Sequence, residues 1–80
     1  MANYRKKSVV IQAFQFGIDS WPDWFIRSKN VVIDSDGCII HTLEGDHRAN
    51  EGDFIIQGVV GELYPCKEQV FYQTYEKVEQ

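Results

Sequence analysis

The sequence predicts an α+β fold, a small and mainly antiparallel sheet of five or six strands with one or two short helices on one face. Short runs rich in β-branched and aromatic residues alternate with polar, glycine-containing turns, which is typical of antiparallel strands. One aromatic stripe at helical spacing follows the first run. Because 80 residues supply only one modest core, we expect a single compact domain over residues 1–80.

The first predicted strand covers residues 4–16 and has apolar side chains on both sides, so both of its faces should be partly covered. A hairpin is predicted further along the chain. Residues 31–33 form its first strand, the Asp-Ser-Asp-Gly sequence at 34–37 suits a tight turn, and residues 38–43 return.

A short helix is predicted between that strand and the hairpin. Ser20 is a suitable N-cap, Pro22 fits the first helical turn, and Asn30 ends the helix. Asp23 and Arg27 have the spacing of an exposed ion pair. The aromatic side chains share one stripe, which is formed by Trp21, Trp24 and Phe25.

The C-terminal half begins with a polar stretch, residues 44–53, which predicts a loop with one short strand at 47–49. Glycines at both ends of 58–61 predict a turn between two strands, and Pro65 should end the second of them. The other predicted elements are strands at 54–57, 62–64 and 74–78 and a helix at 67–72 that presents Val70 and Phe71 to the core.

The charge balance restricts the partners of the chain. Eight basic and twelve acidic residues give a net charge of −4, which disfavours bulk nucleic acid and anionic membranes. No apolar stretch approaches the roughly 20 residues that span a bilayer, and no secretory signal is evident, so we expect a cytoplasmic protein with Cys38 and Cys66 as free thiols. The exception to the acidic character is the cationic cluster of Arg5, Lys6 and Lys7.

The aromatic content indicates an interface. The chain has two Trp, four Tyr and five Phe residues, more than a domain of this size can bury completely. Some of these rings should meet a partner, and we therefore expect a homo-oligomer or a complex with a host protein.

Several blocks of the sequence are distinctive in combination. The most specific block is GDFIIQGVVGELYPCK at 52–67, and its companions are YRKK at 4–7, VVIQA at 9–13, TLEGDH at 42–47, Phe71 and TYE at 74–76. With these blocks the chain resembles, over nearly its whole length, a family of small phage and prophage proteins. The chain departs from the family pattern at Glu51, where a proline is usual, and at Phe54, where Tyr or Trp is frequent. The resemblance implies a viral or prophage origin and a small accessory protein rather than a virion component.

Function must come from the residues themselves, because no established activity accompanies the resemblance. We expect a non-enzymatic protein that binds stoichiometrically in the host cytoplasm, either inhibiting a host defence factor or sequestering a nucleotide-like signal. The most site-like group is the charged stretch at 44–48. The candidate ligand-binding residues supply cations, an imidazole and stacking rings, and they are Arg5, Lys7, Trp24, His47, Arg48, Tyr64 and Lys67.

Other readings remain open. A small hydrolase or nucleotide-modifying enzyme would use Asp46 and His47 as acid and base, with Cys66 as a conceivable nucleophile. The glycine turn at 58–61 with Lys67 could hold a phosphate, although its spacing matches no known phosphate loop. A phage regulator without a ligand pocket is a further possibility.

A zinc site is disfavoured by spacing. Its ligands would be Cys38, His41, His47 and Cys66, which contain no paired ligand motif. We therefore predict no metal, no cofactor and no catalytic residue.

Overall fold

A computed structural model of the protein describes residues 1–78 and confirms the α+β class. In chain order its elements are β1 (Gln12–Gln15), α1 (Asp23–Ile26), β2 (Val31–Ile33), β3 (Gly37–Thr42), β4 (Gly45–Asn50), β5 (Phe54–Gln57), β6 (Leu63–Cys66) and α2 (Glu68–Thr74). Within this range neither helix has the length or the apolar character needed to cross a bilayer.

The strands form two antiparallel sheets of three strands each, in the orders β1–β5–β6 and β2–β3–β4, rather than the single sheet of five or six strands that the sequence predicts. The separation follows from the chain reversal between β4 and β5. There the Gly52 N–H donates to the Phe16 carbonyl and the Phe16 N–H donates to the Asp53 carbonyl, so the chain leaves β4 and joins β1.

The core lies between the two sheets. Ile40 and Ile55 are fully buried, one from each sheet, and each contributes roughly 1.5–3 kcal/mol through burial. Phe25 brings α1 onto this core through an edge-to-face contact with Phe14, with ring centroids 4.9 Å apart. The cluster consists of Phe14, Phe16, Phe25, Cys38, Ile40, Ala49, Ile55 and Leu63, with Trp24 and Val31 packed against it.

The first strand is much shorter than the predicted 4–16. β1 pairs with β5 from Gln12 to Gln15, and β5 is only four residues long. Residues upstream of Gln12 therefore have no ladder partner, and residues 1–10 are exposed.

Helix α1 is also shorter than expected, and the prediction of Ser20 as its N-cap is wrong. Pro22 occupies the N-cap position and makes no side-chain capping bond. Asp19 is used instead to close the preceding turn, because its carboxylate accepts a 2.9 Å hydrogen bond from the Gln15 N–H. The outward ion pair between Asp23 and Arg27 is present at 3.9 Å.

The hairpin at 31–43 is confirmed, and so is the short strand at 47–49, but that strand is longer than predicted and takes residues 45, 46 and 50 from the predicted loop at 44–53. The Asp34 carboxylate accepts hydrogen bonds from the N–H groups of Asp36 and Gly37, which fixes the turn between β2 and β3. β4 pairs with β3 over six residues, and Ala49 is its one buried side chain. This strand is formed by backbone pairing rather than by apolar burial, so its polar side chains do not show the alternating pattern from which a strand is predicted.

The predicted end of β6 at Pro65 is wrong, since Pro65 lies inside the strand. β6 is an edge strand that pairs only with β5, and an edge position tolerates a residue without an N–H.

The closing strand predicted at 74–78 is likewise wrong within the described range, because α2 continues to Thr74 and residues 75–78 belong to no strand. Phe71 stacks on Phe54 with ring centroids 3.8 Å apart, whereas Val70, predicted to face the core, is exposed.

Candidate functional site

An open depression of about 380 Å³ lies where the end of α1, the start of β2, the distal part of β3 and the β5–β6 turn approach one another. Its lining combines one aromatic ring, one aliphatic side chain and several polar or charged groups. The lining residues are Trp24, Arg27, Ser28, Lys29, Asn30, His41, Gly61, Glu62 and Leu63.

The aromatic wall is Trp24, which was predicted as a ligand residue. Its ring packs edge-to-face on Phe14 with centroids 5.6 Å apart, and the side chain is half-buried. Packing against the core anchors the indole in one orientation, while the rest of the ring borders the depression. An anchored ring of this kind offers a stacking surface at low entropic cost.

His41 is held at the border of the depression by two contacts. Its main-chain N–H donates to the Asn30 carbonyl at 2.8 Å, which ties β3 to the segment before β2. Its Nδ1 lies 2.5 Å from Oδ1 of Asp46, the residue opposite it on β4. The bond orients the imidazole and leaves Nε2 without a hydrogen-bond partner among the residues that the structure describes.

Two cationic side chains, Arg27 and Lys29, also line the depression. Arg27 is only loosely paired with Asp23 at 3.9 Å, and both side chains of that pair are more than 80% exposed. Lys29 is exposed and has no ion pair within residues 1–78. The one carboxylate in the lining, Glu62, accepts a hydrogen bond from the Val60 N–H. The depression therefore suits an anion that carries a ring.

The charged stretch predicted at 44–48 does not form one site. Strand alternation separates its residues, since Asp46 is opposite His41 whereas His47 is opposite the buried Ile40. Asp46 thus bonds to His41, and the Asp46–His47 pair of the hydrolase hypothesis is not formed.

Arg48 is occupied by a structural ion pair. Its two terminal nitrogens donate to the two carboxylate oxygens of Asp34 at 3.3 and 2.6 Å. These bonds hold the pKa of Asp34 below its usual value and raise the pKa of Arg48. The pair braces the β2–β3 turn against β4, which leaves Arg48 less available to a ligand.

The other predicted ligand residues lie apart. Arg5 and Lys7 are exposed in the N-terminal segment, and Lys67 binds Asp53 at 3.0 Å. The hydroxyls of Tyr64 and Tyr75 are 3.5 Å apart, and burial together with this contact raises the pKa of Tyr64. In the described part of the chain, no hydrogen bond or ion pair joins any two of the seven predicted residues.

The glycine turn at 58–61 is built as framework. The Gly61 N–H donates to the Gly58 carbonyl, and the Gly58 N–H donates to the Glu62 carbonyl. A Cβ on Gly58 would meet the Glu62 carboxylate, and Gly61 has a φ of +86° that favours glycine. These amides are therefore used within the turn, which weakens the phosphate-loop hypothesis.

A second depression, of about 400 Å³, lies between the Glu51–Asp53 turn and the start of α2. Glu51, Asp53 and Glu68 line it, and Lys67 is its only cation within the described chain. The Gln15 amide donates to Gly52 and to Glu68 at this point, which fastens α2 to β1. Its acidic lining does not suit an anion.

The cysteines do not support a nucleophile. Cys38 is buried and Cys66 is half-buried, and burial raises the pKa of both thiols. Fewer thiolates are present at neutral pH than for an ordinary cysteine. Among the described residues, no three His, Cys, Asp or Glu side chains come together as a metal site would require.

The sequence reasoning missed Arg27, Lys29 and His41. Arg27 and Lys29 follow the aromatic helix closely, which is a signal that could have placed two cations beside Trp24. The partner of His41 depended on recognising β4 as a strand, since only the hairpin register puts Asp46 opposite His41. The chain matches no family model, no curated protein and no solved structure, so the phage family stays a prediction from the sequence.

Proposed function

We propose that this chain is a phage-encoded, non-enzymatic accessory protein that binds a nucleotide-like anion stoichiometrically in the depression beside Trp24. One observation carries the proposal: an anchored indole shares this depression with Arg27, Lys29 and His41. An aromatic platform and cations in one depression are the groups that recognise a base or another flat ring linked to a phosphate.

The expected contacts follow from the chemistry of the lining. A base stacked on Trp24 contributes about 1–3 kcal/mol, with little dependence on which base it is. Arg27 can hold two phosphate oxygens with its planar fork, and Lys29 adds a point charge. A volume of about 380 Å³ lies within the range of roughly 300–1,000 Å³ typical of small-molecule sites.

Sequestration gives this binding a biological effect. A protein that retains its ligand lowers the free concentration of a signal and withholds it from a host defence factor. Such a protein needs affinity and abundance but no turnover, which fits a short chain whose polar groups are arranged around a ligand-sized depression.

Isothermal titration with ADP, cyclic AMP and inorganic phosphate as probes tests the proposal. We expect saturation at one ring-bearing probe per chain and weaker binding of phosphate alone. Trp24→Phe should weaken binding about fivefold or more, because a smaller ring stacks less well. Trp21→Phe is the matched control, since Trp21 stacks on Phe16 and does not line the depression.

The cations are tested in the same titration. Arg27→Gln and Lys29→Gln should each weaken binding and reduce its salt dependence, whereas Lys77→Gln, which removes an exposed cation outside the depression, should not. Failure of every probe to saturate, or equal losses in the Trp21 and Trp24 variants, would contradict the proposal.

A small hydrolase is the second candidate, and the hydrogen bond between His41 and Asp46 favours it. A carboxylate that fixes Nδ1 leaves Nε2 free to accept a proton from water beside a bound ligand. Incubation with excess ADP followed by phosphorus NMR distinguishes the two functions. Conversion of many equivalents, lost in His41→Gln and Asp46→Asn but kept in His47→Gln, would establish the enzyme.

A further inference from the structure

The N-terminal arm, residues 1–11, carries apolar side chains that are exposed, except for the half-buried Ile11. It contains no helix or strand, and Tyr4, Val9 and Val10 are 95%, 49% and 69% exposed. The radius of gyration is 13.6 Å, whereas a compact chain of this length has a radius of about 12 Å. The arm, whose last three residues are β-branched, therefore projects from the body.

The arm leads directly into an edge strand. β1 pairs with β5 on one side only, and within the described chain no strand pairs with its other edge. At the distal end of that edge both backbone groups of Gln15 are used, since its N–H donates to the Asp19 carboxylate and its carbonyl accepts from the N–H groups of Ile18 and Asp19. The remaining edge offers unpaired backbone groups of the kind that recruit a further strand.

The sequence disfavours a fold-back of the arm onto this edge of its own chain. Folding back onto β1 would require a tight turn between the arm and the strand, but residues 4–16 contain no Gly, Pro, Asn or Asp, and Ser8 is their only residue of a type that favours turns. A second chain is therefore the favoured occupant.

Charge favours a second copy as that occupant. Arg5, Lys6 and Lys7 are three of the eight basic residues, whereas all twelve carboxylates follow residue 18. A cationic arm on an acidic body is complementary to another copy of the same body. Asp19, exposed at the far end of the β1 edge, is the nearest carboxylate along the chain.

We propose that the arm of one copy adds as an antiparallel strand to the arm and free β1 edge of a second copy, reciprocally, so that two β1–β5–β6 sheets join into one. The pairing is centred on residues 9–11, where the apolar side chains of both copies meet. An antiparallel arrangement separates the two cationic clusters and directs Arg5 of each copy towards Asp19 of the other. The contact is isologous, as expected for a two-fold dimer, and it goes beyond the proposed ligand binding.

Sedimentation velocity of the full chain over a wide concentration range tests this proposal. We expect a species of twice the 9.3 kDa chain mass. The double variant Val9→Pro with Val10→Pro should be monomeric. Successive residues of a strand direct their N–H groups to opposite sides, so one of the two N–H groups points at the other copy whatever the register. Proline removes that N–H and with it one hydrogen bond between the copies. The circular dichroism of this variant should match that of the unchanged protein, since the arm lies outside the core.

A matched pair of alanine variants tests the side chains. Val9→Ala with Val10→Ala should weaken dimerisation at least tenfold. The control, Val59→Ala with Val60→Ala, removes another pair of adjacent, exposed valines, in the β5–β6 turn, and should leave dimerisation unchanged. A wild-type monomer at every concentration, or a dimer that persists in the proline variant, would overturn the proposal. Loss of dimerisation in the Val59 and Val60 control would overturn it as well, because the interface would then lie elsewhere.

Discussion

The two sheets of the protein differ in how they are covered. In the β1–β5–β6 sheet, Phe54, Ile55 and Ile56 of the central strand are all buried, because one face meets the core and Phe71 of α2 covers Phe54. In the β2–β3–β4 sheet, Cys38, Ile40 and Ala49 face the core, while the opposite face carries exposed charged groups.

Because the two sheets are covered differently, they should contribute differently to stability and to ligand binding. Both sheets bury apolar side chains in the core, but the β1–β5–β6 sheet, here called the covered sheet, buries the apolar residues of its central strand on both faces. The β2–β3–β4 sheet, here called the open sheet, is also held by its ladders and by charged pairs such as Arg48–Asp34, and it supplies His41 to the depression. Substitutions in the two sheets should therefore affect different properties, and the following three predictions are ordered by expected size.

The largest effect is expected at the centre of the covered sheet. Ile55→Ala removes a fully buried side chain and should lower the free energy of unfolding by about 2–5 kcal/mol, measured by urea denaturation. Ile33→Ala is the control on the open sheet, where the side chain is 45% exposed. Its loss should stay below about 1 kcal/mol. Equal losses would mean that the two sheets are not covered differently.

A smaller effect is expected where α2 covers its sheet. Phe71→Leu keeps an apolar side chain but removes the ring that stacks on Phe54, so it should cost about 0.5–1.5 kcal/mol. Val70→Ala, in the same helix but exposed, is the comparison and should cost less. If the two variants unfold at the same urea concentration, α2 does not depend on this stack.

The smallest effect is expected at the Arg48–Asp34 pair, and pH reveals it. The pKa of Asp34 is lowered in the folded state by the hydrogen bonds from Arg48, so its contribution is present above the ordinary carboxyl pKa of 3.8 and is lost as the pH falls below that value.

Asp34→Asn should therefore lower the urea midpoint of unfolding slightly at pH 7. In acid, the urea midpoints of the variant and of the unchanged protein should lie closer together. Asp36→Asn, in the same turn, is the control. An Asp34→Asn deficit that grows as the pH falls would have the opposite sign and would contradict the assignment.

The sequence allowed the covered parts of the fold to be predicted well. The apolar run at 54–57 and the aromatic stripe with Trp24 and Phe25 match buried elements, because burial leaves a periodic pattern. Only the 47–49 part of β4 is predicted, because the stability of this strand comes from pairing with β3, which no side-chain pattern records. The unpaired arm was assigned as strand because β-branched residues favour that conformation whether or not a partner is present.

The candidate site was predicted only in part for the same reason. Trp24 was found through its helical spacing, but Arg27, Lys29 and His41 come together only when α1, β2 and β3 are assembled. Lys67 and Arg48 were plausible anion ligands from their residue type, yet each has an acidic partner from a distant part of the chain. Ion pairs between distant parts of the chain cannot be predicted until the strand register is known.

Native mass spectrometry of the protein purified from cells that express it decides between ligand retention and turnover. We expect that each chain retains one added mass, that denaturation releases the compound intact, and that the Trp24→Phe protein retains less of it than the Trp21→Phe protein. Chains that carry no added mass, or a released compound that the protein has chemically altered, would contradict binding without turnover.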